Sequence, residues 1–296
     1  MLDRLAPAIF VLLWSTGWIV AKYAVIHADP LTFLAARHAL AALAFLVICL
    51  VLRSRWPKNL GVVGKALVSG VFLHGLYLAG VWYAIGQGVP SGLSGIIAGL
   101  QPLLTALAAP MLVGERLNSY QRLGLLLGFA GILIAIAPQL LGSLSSGLAG
   151  LGIPLLINLL AMTSVTYGTL YQKRHLQDVD LLPVAMLQSV AAFLVTAPLA
   201  FATENLRFDW TMEAIAAMAW SVFGISVAAV LLLLRLIRQG QVARAASLIY
   251  LMPPMVALEA AVLFGEPLTI PIILGTTIVV AGVYLVNRKA EGRQPA

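Results

Sequence analysis

The chain holds one cysteine, Cys49, and very little charge. A lone thiol excludes an internal disulfide and any cysteine-based metal cluster. Charged residues make up 10% of the sequence, against about 25% in soluble domains. Only 11 of the 296 residues are acidic. So few charges cannot cover the surface of a water-soluble fold, and that class is excluded. The sequence also lacks a His-Glu-x-x-His zinc motif and a phosphate-binding glycine loop. No metal or other cofactor is expected, and neither is ATP-driven chemistry within this chain.

Apolar residues fill the space that charge leaves: 61% of the chain. A helix that crosses a bilayer needs roughly 17–25 mainly apolar residues. Ten such runs are present, at 5–26, 30–52, 61–85, 91–113, 119–138, 149–171, 181–202, 212–236, 242–264 and 268–287. Connections between them are too short for a soluble domain. The first run starts after Arg4, as a signal peptide would, but its apolar stretch continues through Trp14 and Trp18 without a clear cleavage site. It is taken as the first helix. Residues 288–296 are polar and are expected to form a cytoplasmic tail.

Basic residues set the expected orientation. The net charge of +7 lies in short clusters between apolar runs, which does not suggest a nucleic-acid partner. With both termini in the cytoplasm, 15 of the 18 Lys and Arg residues fall inside. Only Lys22, Arg37 and Arg207 fall outside. This is a strong positive-inside bias, and a multi-pass protein of a bacterial-type inner membrane is expected.

The chain repeats itself. Adding 151 carries Pro102 onto Pro253, Gly114-Glu115 onto Gly265-Glu266, and Gly124 onto Gly275. From 100 to 131, 13 of 32 positions are identical at this one ungapped offset. Each copy holds five helices, an odd number, so the second must enter the membrane upside down. The expected fold is therefore all-α, with ten transmembrane helices as two inverted five-helix repeats at 1–138 and 149–287. Inverted repeats are a construction principle of secondary transporters, with the site near the midplane between them.

These motifs carry a family likeness. Leu100-Gln101-Pro102 with Gly114-Glu115-Arg116-Leu117 resembles the first EamA repeat of the drug/metabolite transporter superfamily. Tyr250-Leu251-Met252-Pro253-Pro254 with Gly265-Glu266-Pro267-Leu268 resembles the second. The resemblance implies a central cavity and export or exchange of small metabolites, including amino acids. Within it, His74-x-x-Tyr77 resembles cavity residues of aromatic amino acid exporters.

Polar and aromatic residues within the runs are the candidate substrate-binding set: Trp14, Trp18, Lys22, Arg37, His38, His74, Tyr77, Gln101, Tyr167, Trp220 and Tyr250. Trp14, Trp18 and Lys22 are spaced i, i+4, i+8 and share a helix face. They suit a solute with an apolar body and an anionic head, or else packing tryptophans below an interface lysine. Arg37, two turns into the second run, reads equally as an anion site or as a residue that snorkels or pairs with Glu259. Glu259 is the one acid inside a run. It is a candidate for proton coupling, or for pairing with Arg37 or Lys22. His74 at mid-helix needs a polar partner, which a cavity supplies. Pro102 and Pro253 each remove a backbone donor and mark paired helix breaks. Glu115 and Glu266 read as helix caps. Gly124-x-x-x-Gly128 permits close packing and leaves a homodimer face open.

The expected partners are thus a small-molecule substrate and the lipid bilayer, with a proton or counter-substrate as driver. Gly92-Leu93-Ser94-Gly95 matches the Gly-x-Ser-Gly of rhomboid-type proteases. The one later histidine, His175, falls on the opposite side of the membrane. A serine nucleophile without a base in reach is inert, so an enzyme is not expected. A non-transporting membrane sensor and a carrier of drugs, nucleosides or sugar-derived solutes remain as alternatives.

Overall fold

The structure is a computed structural model that describes residues 2–113, 118–146, 152–238 and 252–287. Backbone groups in lipid must pair within their own segment, which leaves uninterrupted apolar runs no choice but helix. The described residues form ten of them. The helices are α1 Leu2–His27, α2 Pro30–Val51, α3 Leu60–Gly86, α5 Ser119–Ser146 and α6 Gly152–His175. Later come α7 Leu181–Thr203, α9 Met252–Phe264 and α10 Ile270–Asn287. The fourth, α4, is broken into Ser91–Ile97 and Leu100–Val113. The eighth, α8, runs from Met212 to Arg238. Eight of these elements are long and apolar enough to cross a membrane.

Polar side chains set the helix starts. Asn59 accepts from the Gly61 amide at the start of α3, Asp180 from Leu182 at α7, and Thr211 from Ala214 at α8. Each satisfies an amide that the first helical turn leaves free. Pro30 stands at the start of α2, where its missing N–H is harmless.

Two irregularities fall at matched positions. Val71–Leu76 within α3 and Trp220–Ala228 within α8 are π-helical. The 151 offset carries 71–76 onto 222–227, inside the second segment. Such wide turns loosen the backbone ladder and recur at functional sites. The break in α4 lies at Ala98–Gly99, three to four residues ahead of Pro102. That placement follows from proline: its ring crowds the carbonyl four residues back, and its nitrogen offers no hydrogen. Pro253 lies in the first turn of α9, and the residues before Met252 are outside the described part.

Packing closes eight helices into a ring, in the order α1, α8, α2, α7, α3, α6, α4, α9 and back to α1. Contacts between the repeats around the ring come in symmetry mates: α1 on α8 matches α6 on α3, and α1 on α9 matches α6 on α4. The pair α5 and α10 packs against α4 and α9. Their crossing is glycine on glycine. A Cβ on Gly124 would meet the Gly282 carbonyl oxygen at 2.6 Å, and one on Gly131 the Gly275 oxygen at 2.7 Å. The offset maps these two contacts onto each other, as a two-fold axis between the repeats requires. Gly124 and Gly128 are therefore consumed inside the chain. Gly124 meets α10 and Gly128 meets Leu103.

Call the face where α1 begins the near face and the other the distal face. The distal halves of α3 and α4 (77–86 and 91–97) both pack on α1, and 77–86 also packs on α2. The first repeat is thus gathered at the distal face.

Candidate functional site

A seam of buried polar side chains runs through this apolar ring. At its near-face end Gln188 of α7 donates to Ser69 Oγ and to Gln172 Oε1, both at 2.8 Å. Gln188 also hydrogen-bonds His74. His74 lies within electrostatic range of Arg37 and of His38, and Tyr77 within that of Arg37. Arg37 is 6% exposed and His38 4%. One Arg37 terminal nitrogen donates to Ser226 Oγ at 3.4 Å, a long bond, and Ser226 itself donates to the Ser221 carbonyl. Three buried polar atoms on α2 and α8, the two helices that meet here, have no partner: Arg37 Nε, His38 Nε2 and Ser221 Oγ. Buried polar atoms are rarely left so, because each forfeits its hydration.

The structure brings together four of the residues that the sequence nominates, namely Arg37, His38, His74 and Tyr77. Arg37 does not snorkel outward and does not pair with Glu259. Glu259 instead accepts from Ser15 at 2.8 Å, with its Oε2 buried and unbonded. Neither Arg37 nor Lys22 reaches it, since the ion pairs among the described residues are both made by Arg207. Trp18 is 5% exposed, and its indole nitrogen is unpartnered. Gln101 donates to Thr169 at 3.3 Å, linking α4 to α6.

Other nominees lie apart from the seam. Trp14 is exposed and packs edge-on against Phe10, and Lys22 is partly exposed. Trp220 is 46% exposed and donates to Thr16 at 3.0 Å. Tyr167 lines an apolar groove of about 490 Å³ between α3 and α6, with Phe72, Leu76, Leu160 and Thr163. That side of α6 is opposite the one carrying Gln172. Tyr250 is outside the described residues, as is Glu115. Ser94, the serine of the protease-like motif, is fully buried and accepts from Asn158 at 2.8 Å.

The sequence reading missed Ser69, Gln172, Gln188, Ser221 and Ser226. One signal was available: the 151 offset that defines the repeat carries Arg37 onto Gln188.

Two carboxylates lace the distal face. Glu204 accepts from the amides of Leu31 and Thr32 and from the Thr32 hydroxyl, all at 2.8 Å. Glu266 accepts from the amides of Ser91 and Gly92 at 2.9 Å and from the Ser91 hydroxyl at 2.8 Å. Each acid belongs to the second repeat and caps a helix of the first. Glu266 is thus a cap, though of α4 and not of the helix that follows it. Arg207 adds bonds to Asp29 and Asp209, and Ala28 bridges Phe208. Phe208 stacks on Phe33, which stacks on Trp82 at 5.2 Å. On the near face, Asp180 takes one bond from the Arg55 amide, at 3.2 Å.

Ten apolar helices, an inverted repeat and a polar seam between the halves define a multi-pass membrane protein with transporter architecture. The chain matches the EamA-like transporter family over residues 5–137 and 151–288, and it belongs to that family. It is 27% identical to the uncharacterized transporter YvbV of Bacillus subtilis, over 98% of this chain and 92% of that protein. It is 25% identical to a Salmonella typhimurium protein named as a probable amino-acid metabolite efflux pump, covering 96% and 94%. The inner membrane transporter YedA of Escherichia coli is 26% identical, over 95% and 89%. A solved crystal structure shares the fold, with a TM-score of 0.62, 20% identity and 96% coverage of both chains.

Proposed function

We propose that this chain is a secondary carrier of a bacterial-type inner membrane. It exports or exchanges a small metabolite, an amino acid or similar amphipathic solute, by alternating access. The observation that carries the reading is the polar seam from Gln172 through Gln188 and His74 to Arg37. A membrane protein that only anchors or scaffolds has no use for a buried cation and a chain of amides, because each is costly in an apolar interior. An aqueous path that solute can enter gives them a role. The efflux-pump relative supports an amino-acid-like solute.

The gathered distal face corresponds to one of the two states that alternating access needs, the one closed on that side. With the basic clusters inside, the near face is cytoplasmic and both termini lie there. Once the distal face is closed, solute would load from the cytoplasmic pool, as an exporter requires. Purified protein in proteoliposomes tests the reading. Uptake of at least one labelled amino acid, accelerated by unlabelled solute on the other side, is the expected result. No movement of any amino acid, drug, nucleoside or sugar derivative favours the sensor alternative.

Glu259 supplies a second element of this reading, a proton-coupling group. Its unbonded Oε2 is buried beside α1, where a proton would serve as its partner. Exchange for glutamine should abolish the dependence of flux on a pH gradient. An unchanged dependence removes Glu259 from the coupling.

A further inference from the structure

Arg37 and Gln188 occupy the same position in the two repeats, since 37 plus 151 is 188. Both are buried, on helices that pack against each other as α2 and α7. The neutral member is satisfied: the Gln188 amide bonds Ser69, Gln172 and His74. The charged member is not. Arg37 has one long bond to a serine hydroxyl, a free Nε, and no carboxylate within 4 Å among the described residues. A packing role at this position is filled by an amide in the second repeat, so packing does not account for a charge in the first.

The surroundings of Arg37 add to the imbalance. His38 Nε2 and Ser221 Oγ are buried and unpartnered as well. His74 and Tyr77 lie in electrostatic range, and neither brings a negative charge. Guanidinium stays protonated in proteins and presents a flat fork of donors that matches a carboxylate in two-point contact. A buried cation without a counter-ion is strongly disfavoured until an anion arrives.

From this asymmetry between repeats, we infer that Arg37 is the anion subsite of the transport cavity and that the transported solute carries a carboxylate, with His38, Ser221 and Ser226 completing its shell. The inference rests on the carrier reading above and narrows its substrate class. The π-helical stretch of α8, Trp220–Ala228, carries both serines, and Ser226 reaches Arg37. The carboxylate would lie between α2 of one repeat and α8 of the other, so binding bears on contacts that alternating access must rearrange.

The test compares free amino acids with their carboxamides, which keep the side chain and ammonium but lose the carboxylate. Each pair is assayed on the full chain by ligand-induced thermal stabilisation and by flux in proteoliposomes. The wild type should bind and move at least one free acid and discriminate against its amide. Arg37→Gln copies the residue that the second repeat uses, and should fold with an unliganded melting temperature close to that of the wild type. It should bind the acid about 10- to 100-fold more weakly, and bind acid and amide alike. Arg37→Lys should restore part of the preference. Flux of acid and amide at equal rates, unchanged in Arg37→Gln, overturns the anion subsite while leaving a carrier. Absence of flux for every compound overturns the carrier reading and the subsite with it. Stabilisation by phosphate esters in place of carboxylates overturns the substrate class.

Discussion

Within the seam, rarity decided which residues the sequence could reveal. Arg37, His38, His74 and Tyr77 stand out because charged and imidazole side chains are scarce in apolar runs, and all four do fall together. Ser69, Gln172, Gln188, Ser221 and Ser226 gave no such signal. Serine is common in membrane helices, and the worth of an uncharged serine or glutamine depends on which helices become neighbours. Trp14 and Tyr167 fall outside the seam, since helical spacing gives a shared face but not which neighbours that face meets. Gln188 is the residue whose loss should cost most without touching charge. Exchange for leucine leaves Ser69 and Gln172 without their donor and His74 without its amide partner. A drop in stability of roughly 1–3 kcal/mol is expected, read as a lowered melting temperature in detergent. An unchanged melting temperature would mean that the seam is hydrated and does not depend on this amide.

Helix number and length were legible because a bilayer permits little except helix. The π-helical turns were not, since they reflect how α3 and α8 accommodate neighbours. Pro102 announced a break, and proline geometry moved it upstream to Ala98–Gly99. The caps at 204 and 266 were half legible, because an acid near a helix start indicates capping but not which helix it caps. Two predictions belong at this scale. Glu204→Ala removes three bonds at the start of α2 and should cost roughly 0.5–2 kcal/mol. It should also loosen the distal face. A cysteine placed at Phe33 then reacts faster with a membrane-impermeant maleimide, with low background because the native Cys49 is buried. Equal labelling rates would show that Glu204 does not hold this face shut. Gly131→Val would force a Cβ to 2.7 Å from the Gly275 oxygen. Parting α5 from α10 in this way should cost about 1–3 kcal/mol, measured by thermal melting, and a neutral outcome would refute the glycine crossing.

Across the whole molecule, one sequence offset accounts for most of the architecture: the ring order, the paired glycine crossings and the matched π-turns all obey the 151-residue relation. What the offset does not give is the state. Two inverted copies are equivalent in sequence pattern, while the distal face of the structure is held together by Glu204, Glu266 and Arg207, whose partners lie there. Reversing the roles of the repeats produces the other state, with the near face closed. Alternating access makes this exchange the central claim, and distances between paired spin labels test it most directly. One pair spans the distal face, from the α1–α2 connection to the α3–α4 connection. A second spans the near face, from the α2–α3 connection to the α6–α7 connection. Carrier action predicts two populations that change together, the distal distance lengthening as the near distance shortens, with added solute shifting their balance. A single fixed distance at both faces, whatever solute is added, would contradict it.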